Sequence, residues 1–448
     1  MRATLEVSVW SISRQLPAYC RWAIALAGIL ASTLSLGSEV EVTDDRVDQI
    51  GDSIFTESAE GYFADSDVDL VVFQQPGTTA RPGTAPRRPT RRPTTEGQNL
   101  APPSTSDLGD YLASAPRMFG HYYGATGQLL VRSINNNGLA KGDFVTDVPM
   151  GGGASPLQIT DNNTPLPQSR FFVNYNHFEN ALRAQSGNRR FFLPVDQYTV
   201  GTEQTFMDGI SSWQLQLPMT GGFGVAGDPG VSSGQFGNLG FISKTAIWRS
   251  DYAILSGGLG LELPTGSSVQ GRGQFTRYQL RNSSTTVLPF IGVMALPTDA
   301  TFLQGFLTAS VPASGNQFVV GSRGGPDVNA GVYTPQTRLH LDLAGGAWFY
   351  QNPGGGGITG MAFVGEVHYV AATQTGDFLN VTSIGPTGPN FYQLGNLSNQ
   401  QTATNLPAGI HTVWNDRFQF RIAGAVPLAQ RPNRGFDGEV IVQVNFIP

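Results

Sequence analysis

The chain has 448 residues and a net charge of −6, and only 13% of its residues are charged. Soluble globular proteins carry about 25% charged residues, so the deficit needs a reason, and a surface that faces lipid is one such reason. The modest negative charge argues against nucleic acid as a partner. Cys20 is the only cysteine, which argues against a disulfide framework and a cysteine-based zinc site.

An uncharged apolar run from Trp22 to Leu36 follows Arg14 and Arg21. This run is shorter than the ~20 residues that a membrane-spanning helix needs, and it is typical of a signal peptide with a long basic n-region. We therefore predict a signal peptide over residues 1–37, with a single N-terminal membrane anchor as the alternative. No later stretch is apolar enough to cross a membrane as a helix, so later membrane contact is expected from strands.

Three segments of distinct composition come next. Residues 38–75 are acidic, and residues 76–103 are rich in proline and arginine. Neither composition can bury a core, so we predict that both segments are disordered and periplasmic. Residues 104–169 are rich in glycine and asparagine without a sustained period. We interpret them as a loosely structured lead-in, either a periplasmic cap or a lumen plug.

From Arg170 onward, short runs of alternating polar and apolar residues are separated by Gly, Pro, Asn and Asp. Short and long connections between the runs alternate, as short periplasmic turns and long outer loops do in membrane barrels. We predict an all-β fold for residues 170–448: a closed antiparallel transmembrane barrel of about 12 strands, within roughly 10 to 14. The runs are 170–178, 196–206, 211–219, 238–248, 252–263, 286–296, 301–311, 337–349, 358–371, 408–414, 417–426 and 437–447.

The alternation within these runs predicts which side chains face lipid. Leu339, Leu341, Phe363 and Val367 are expected on the lipid side. The run at 286–296 is apolar on both faces, and the run at 238–248 places a lysine beside apolar residues, so these two fit less well. The charged residues expected to line the lumen are Arg338, His340, Asp342, Glu366, His368, Arg417, Arg421, Glu262 and Glu439, together with Arg170 and Glu203.

A soluble β-sandwich also alternates polar and apolar faces. Its outer face would be rich in lysine and glutamate, and its edge strands would be protected by charge. Here the polar faces carry mostly Gln, Asn, Ser and Thr, and the chain has only Lys141 and Lys244. The composition therefore favours the barrel, which has no free edge.

Five segments carry a family resemblance: VDQYTVGTEQTF, LSGGLGLELPTGS, LHLDLAGGAWFYQN, GEVHYVAAT and the closing RIAGAVPL with GFDGEVIVQVNF. In these segments, residues 171–448 resemble a family of bacterial outer-membrane barrels named after a phenol-degradation (MetA) pathway, and its porin-like relatives. The resemblance implies an outer-membrane location and a transporter-like role, without catalytic residues. It also implies that the barrel assembly machinery reads a terminal aromatic, for which Phe446 has the right parity.

Small or neutral inward positions, among them Gly258, Gly346, Gln443 and Asn445, suggest a wet, narrow pore for small solutes. We predict a porin-like, non-enzymatic channel in outer-membrane lipid that needs no cofactor. One alternative is a non-conducting structural or partner-binding barrel. A second alternative is an outer-membrane hydrolase or metal site built from His340, Asp342, Glu366 and His368.

Overall fold

The computed structural model describes residues 115–120, 122–124, 127–149, 151–187, 189–221, 235–272, 276–322 and 324–448. The predictions for residues 1–37, 38–75 and 76–103 therefore lie outside the described residues. Over the described ranges the chain forms strands and one 3-10 turn, Gly151–Gly153, with no α-helix. No helix among these residues is long and apolar enough to cross a bilayer.

The strands are β1 Gly127–Ile134, β2 Ala140–Val148, β3 Arg170–Ser186, β4 Arg189–Phe206, β5 Ser211–Thr220, β6 Gln235–Phe236, β7 Leu239–Arg249, β8 Ala253–Leu263, β9 Val269–Arg272, β10 Thr276–Arg281, β11 Thr286–Thr298, β12 Thr301–Pro312, β13 Asn316–Ser322, β14 Asp327–Tyr333, β15 Thr337–Gln351, β16 Ile358–Gln374, β17 Leu379–Gly385, β18 Gly388–Gly395, β19 Thr402–Trp414, β20 Phe418–Pro427 and β21 Gly438–Phe446.

Twelve strands form a ring of antiparallel pairs. In order around the ring they are β3, β4, β5, β7, β8, β11, β12, β15, β16, β19, β20 and β21. The last strand pairs with the first over nine residues, from Glu179 opposite Gly438 to Phe171 opposite Phe446. Because this pairing leaves no free edge in the ring, the predicted closed 12-stranded antiparallel barrel is confirmed.

The strand ends differ from the predicted runs by more than three residues in two places. Residues 179–195, read as a connection, instead continue β3 and β4 as a paired ribbon that extends to Ser186 and Arg189. Likewise β19 begins at Thr402, six residues earlier than predicted, because it continues its pairing with β16 as far as Ala371. Both extensions lie at the end of the barrel that carries the long connections.

Five short turns lie at one end of the barrel, which we call the short-turn end. They join β4 to β5, β7 to β8, β11 to β12, β15 to β16 and β19 to β20. In the last of these, Asn415 and Asp416 both have positive φ, 49° and 56°. Two-residue hairpin turns of this mirror-image kind favour Asn and Asp, which tolerate the left-handed region.

At the opposite end, three of the long connections and the chain before β3 build a second structure, which we call the dome. One of its sheets consists of β9, β10, β13 and β14, and the other is formed by β1, β2, β17 and β18 as part of the larger sheet. Buried side chains of both sheets, including Leu129, Phe318, Tyr333 and Leu394, form one apolar cluster. Between them the Tyr392 hydroxyl donates to the Gly321 carbonyl at 2.7 Å. β2 is joined to the barrel through the extended end of β3.

A further long connection, residues 428–437, is held to the barrel by Asp437. Its carboxylate accepts hydrogen bonds at 2.8 Å from the Asn180 amide and the Arg431 guanidinium, and Arg434 lies 2.9 Å away. Partial burial alone would raise the pKa of Asp437, but these hydrogen bonds and the two arginine charges lower it below its usual value.

The outward face of the barrel is apolar. Leu341 and its neighbours on β15 and β16 are typical, since bulky side chains are left 39–57% exposed all along this face. Exposed aliphatic side chains at this density are expected where lipid is the solvent. The set comprises Leu259, Ile291, Val293, Leu303, Leu307, Val311, Leu339, Leu341, Leu343, Phe363, Val367, Tyr369, Ile410, Phe420, Ile422, Val426 and Val440.

Aromatic side chains gather on the outer surface near the short-turn end. Trp248, Tyr252, Phe349, Trp414 and Phe418 are each 40–65% exposed there. Such rings at a membrane–water boundary are typical of membrane barrels. Trp348 differs, because it shares the parity of the inward residues Asp342 and Ala344 and pairs with the buried Ala362; its ring makes an edge-on contact with His411, with ring centroids 5.5 Å apart.

Candidate functional site

The interior of the barrel is occupied by the chain that precedes β3. Two stretches run through it, which we call the arm (residues 115–120 and 122–124) and the return segment (residues 151–169). At the short-turn end, Arg117 of the arm bonds Gln419, the second residue of β20. At the far end, Tyr122 lies beneath Arg338, 5.6 Å from its guanidinium carbon to the ring centroid. The arm therefore runs through the barrel into the dome, and the return segment runs back to β3.

The return segment is held by a buried charge network around Glu203. Its carboxylate receives Arg170 Nε at 2.9 Å and Lys244 Nζ at 3.0 Å, and the Ser212 hydroxyl donates to it at 2.7 Å. Lys244 Nζ also donates to the carbonyls of Thr164 at 2.7 Å and Leu166 at 3.1 Å. Charges buried this deeply are tolerated because they are paired and hydrogen-bonded.

The arm is held by a carboxylate–imidazole–carboxylate chain on β15 and β16. His368 Nδ1 lies 2.7 Å from Asp342 Oδ1, and its Nε2 lies 2.8 Å from Glu366 Oε2. Glu366 in turn accepts the backbone N–H groups of Phe119 at 2.6 Å and Gly120 at 3.0 Å. These hydrogen-bonded side chains thus fix the backbone of the arm to two barrel strands, β15 and β16.

Arg421 of β20 binds the carbonyl groups of the same backbone, whose N–H groups are bound by Glu366. It donates to the carbonyls of Met118, at 3.1 Å, and Arg117. It also donates to Gln443 at 2.7 Å, whose amide donates to the Phe119 carbonyl at 3.1 Å. The Arg421 guanidinium lies 4.1 Å from the centroid of the Phe119 ring, which adds a cation–π contact.

The other predicted lumen residues lie at scattered heights in the barrel. Glu262 accepts the Leu157 N–H at 3.0 Å and the Asn238 amide at 2.8 Å. Glu439 accepts the Asn176 amide at 2.8 Å. His340 is buried with its ring 6.4 Å from that of Tyr122, above the Asp342–His368–Glu366 chain.

The lumen prediction is wrong for Arg417. This residue is exposed, because β20 begins one residue later, at Phe418, and Arg417 belongs to the preceding turn. Its parity matches that of Gln419 and Arg421, but it lies at the rim of the barrel. Alternation determines the face of a residue and not its height along the barrel axis.

The small inward residues do not enclose open space. A Cβ atom on Gly258 would lie 2.4 Å from the Phe290 ring, and one on Gly346 would lie 2.3 Å from the Phe302 ring. Each glycine is covered by an inward phenylalanine of the neighbouring strand. Gln443 and Asn445 are occupied as partners of Arg421 and Arg170. At these four positions the interior is filled by side chains, and the wet pore stays a prediction.

The two runs that fitted the barrel pattern poorly are explained by the interior chain. Ile242 of β7 and Leu288 and Phe290 of β11 point inward and are buried against Met118, Leu157 and Ile159 of the arm and return segment. A strand of this barrel that is apolar on both faces therefore has lipid on one side and interior chain on the other. This second apolar face was the signal that could have located the plug, and Arg117 and Lys244 were the functional residues missed.

The arrangement around His368 is suited to holding a peptide chain. Both nitrogens of His368 are engaged by carboxylates, so neither is available to activate a nucleophile. Over the described parts of the chain, no three His, Cys, Asp or Glu side chains are arranged to hold a metal ion.

Neither a protein-family model nor a curated protein matches the sequence. Among solved structures, an outer-membrane channel from Pseudomonas putida F1 matches with 12% identity and a TM-score of 0.42, over 63% of this chain and 96% of that one. The NanC porin matches with 7% identity and a TM-score of 0.35, over 61% and 97%. The Pseudomonas putida toluene transporter TodX matches with 11% identity and a TM-score of 0.35, over 66% and 94%. At these values the likeness carries no inference about activity, and the closed barrel rests on this chain's own strand pairing.

Proposed function

We propose that this protein is a porin-like channel of the bacterial outer membrane, through which small solutes diffuse passively when the interior chain moves aside. The observation that carries the proposal is the construction of the lumen. A 12-stranded wall is wider than the 8-stranded kind that its own side chains fill. Here the surplus interior is occupied by a segment that is not part of the wall.

The apolar outer face and its aromatic rim support a location in a bilayer. In outer-membrane barrels the short turns are periplasmic and the long loops extracellular. On that basis the dome is extracellular, and the arm enters the lumen from the periplasm. The residues that precede the arm are then periplasmic, as the exported N-terminal tail was predicted to be.

The charges that line the open solute pathway depend on how much of the interior chain moves out of the lumen. The wall contributes Arg170, Lys244, Arg338 and Arg421 against Glu203, Glu262, Asp342, Glu366 and Glu439. Because these charges nearly balance, the open channel should discriminate weakly between cations and anions. Membership of the phenol-degradation family remains part of this proposal and rests on the segments quoted above. Recognition of Phe446 by the barrel assembly machinery is likewise proposed.

Planar-bilayer conductance of the refolded protein tests the channel. We expect a small conductance for the full-length chain, and a larger one with a reversal potential near zero in a salt gradient when residues 1–165 are deleted. A deletion product that migrates as a folded barrel on unheated gels but does not conduct would overturn the proposal.

The second candidate function is a non-conducting barrel that binds a partner through its loops. The packed lumen and the dome, which has its own apolar core, favour it. Failure of both the full-length and the deleted protein to conduct would support this candidate. The hydrolase alternative has no comparable observation in its favour, because the His368 ring is fully engaged.

A further inference from the structure

Side chains of the barrel wall form hydrogen bonds with main-chain groups of successive arm residues. Gln304 of β12 donates to the Pro116 carbonyl at 2.8 Å, and Arg421 donates to the carbonyls of Arg117 and Met118. Glu366 accepts the N–H groups of Phe119 and Gly120. Five consecutive residues of an extended chain are therefore bound through main-chain groups, which any peptide possesses.

Met118 and Phe119 lie in separate apolar pockets to which the wall contributes most of the side chains. Met118 is fully buried among Ile242, Leu288, Phe290 and Phe306. Phe119 is fully buried in a different cluster, which includes Phe302, Ala362 and Val364. Backbone contacts supply affinity in such sites, and the pockets supply sequence selectivity.

Two positions of the bound stretch have further requirements. The Arg117 guanidinium donates to Gln419 of the wall and to Gln168 of the return segment. Gly120 has a φ of +36°, and a Cβ atom there would lie 2.5 Å from the Thr160 carbonyl oxygen. The site therefore selects a cation at the second of the five positions and glycine at the last.

The arm itself is not part of the wall. None of its described residues belongs to a strand, whereas Gln304, Glu366, Arg421 and Gln443 are each fixed in strands of the closed ring. The site is thus built by the barrel wall together with the return segment, whose Asn163 carbonyl accepts the Met118 N–H at 2.8 Å, and the arm only occupies it. The arm can therefore leave the site without breaking the pairing between barrel strands.

We propose that the barrel interior is a recognition site for an extended peptide of the pattern Pro-Arg-Met-Phe-Gly, and that the arm is its resident occupant. The same peptide supplied in trans binds this site when the resident arm is expelled. This inference goes beyond the proposed channel, because it concerns peptide binding and holds whether or not the barrel conducts.

The test uses the full-length chain carrying Met118→Asp and Phe119→Asp, which places two charges in apolar pockets and expels the arm. The probe is a fluorescent synthetic peptide with the sequence of residues 115–124, and its anisotropy is measured in detergent micelles. We expect saturable binding to this variant, at least tenfold weaker binding to the wild-type chain, and none to empty micelles. A peptide carrying the same two aspartates should not bind.

Two further variants distinguish peptide binding at this site from nonspecific binding. Adding Glu366→Gln, which leaves one acceptor oxygen where two backbone N–H groups need it, should weaken peptide binding at least tenfold. Adding Val367→Ala, on the outward face of the same strand, should leave binding unchanged. If the double aspartate variant does not fold, Gly120→Val expels the arm by steric strain and without added charge. A folded, arm-released barrel that binds the wild-type and aspartate peptides equally would overturn the proposal.

Discussion

Lys244→Met should measure how strongly the interior chain is fixed to the wall. The substitution keeps most of the side-chain volume but removes the ammonium group that lies 3.0 Å from Glu203 and bonds the carbonyls of Thr164 and Leu166. Glu203 keeps Arg170 as a partner, while the two carbonyls lose their charged donor.

Removing one partner of a buried ion pair costs ~3–5 kcal/mol, and a buried carbonyl left without a donor costs ~1–3 kcal/mol. These penalties overlap because they belong to one network, and Arg170 limits the loss at Glu203. We therefore expect the free energy of unfolding to fall by about 3 kcal/mol. Equilibrium urea unfolding in phospholipid vesicles, followed by tryptophan fluorescence, provides the measurement.

Ile247→Met, on the outward face of the same strand, is the matched control and should change the free energy by less than ~0.5 kcal/mol. In the double variant Lys244→Met with Glu203→Gln, the loss should be smaller than the sum of the single losses by ~0.5–3 kcal/mol, because the two groups share one network. Stability of Lys244→Met within the control range, or strict additivity, would refute the reasoning.

In a cysteine-free background, the relaxation rate of a spin label at Leu341→Cys should be raised by oxygen and not by an aqueous nickel chelate, because Leu341 faces lipid. A label at Leu139→Cys in the dome should show the reverse. If the chelate reached the label at Leu341→Cys, the assignment of inward and outward faces would be inverted. Because the folded-state pKa of Asp437 is lowered, its stabilising effect is present above the ordinary value of ~3.9 and is lost as pH falls through the folded-state value. Hydrogen exchange of residues 428–437, corrected for intrinsic rates, should accelerate below about pH 4. Asp437→Asn should abolish this dependence of exchange on pH. If the variant kept the same pH dependence, Asp437 would not be the group that holds this connection. Gly346→Ala, whose methyl would meet the Phe302 ring, should destabilise the barrel by ~1–3 kcal/mol, while Gly365→Ala, with open space around it, should not; equal effects would contradict the packing described.

The barrel strands were predictable because lipid imposes a simple rule on them. Each strand must place apolar side chains outward at every second position, and β15 follows this rule with Leu339, Leu341 and Leu343. The alternation of turn lengths then predicts the strand directions. Arg417 marks the limit of this logic, because a face assignment says nothing about how far a residue lies from the rim.

The contents of the lumen were not predictable in the same way. The contact between Glu366 and the Phe119 N–H joins residues 247 positions apart, and no local period connects them. Polar inward residues such as Gln443 have the same pattern whether they face water or a peptide carbonyl. Only the doubly apolar β11 and the lysine among apolar residues in β7 carried a signal of the interior chain.

The central claim is that the arm closes a channel, and single-channel recording tests it most directly. Wild-type protein and the Met118→Asp, Phe119→Asp variant are inserted into the same planar bilayer system after both are verified as folded barrels. We expect the wild-type chain to be closed for most of the recording, and the variant to be open with a larger conductance that an excess of the arm peptide blocks. A folded variant that conducts no more than the wild-type chain would contradict the claim.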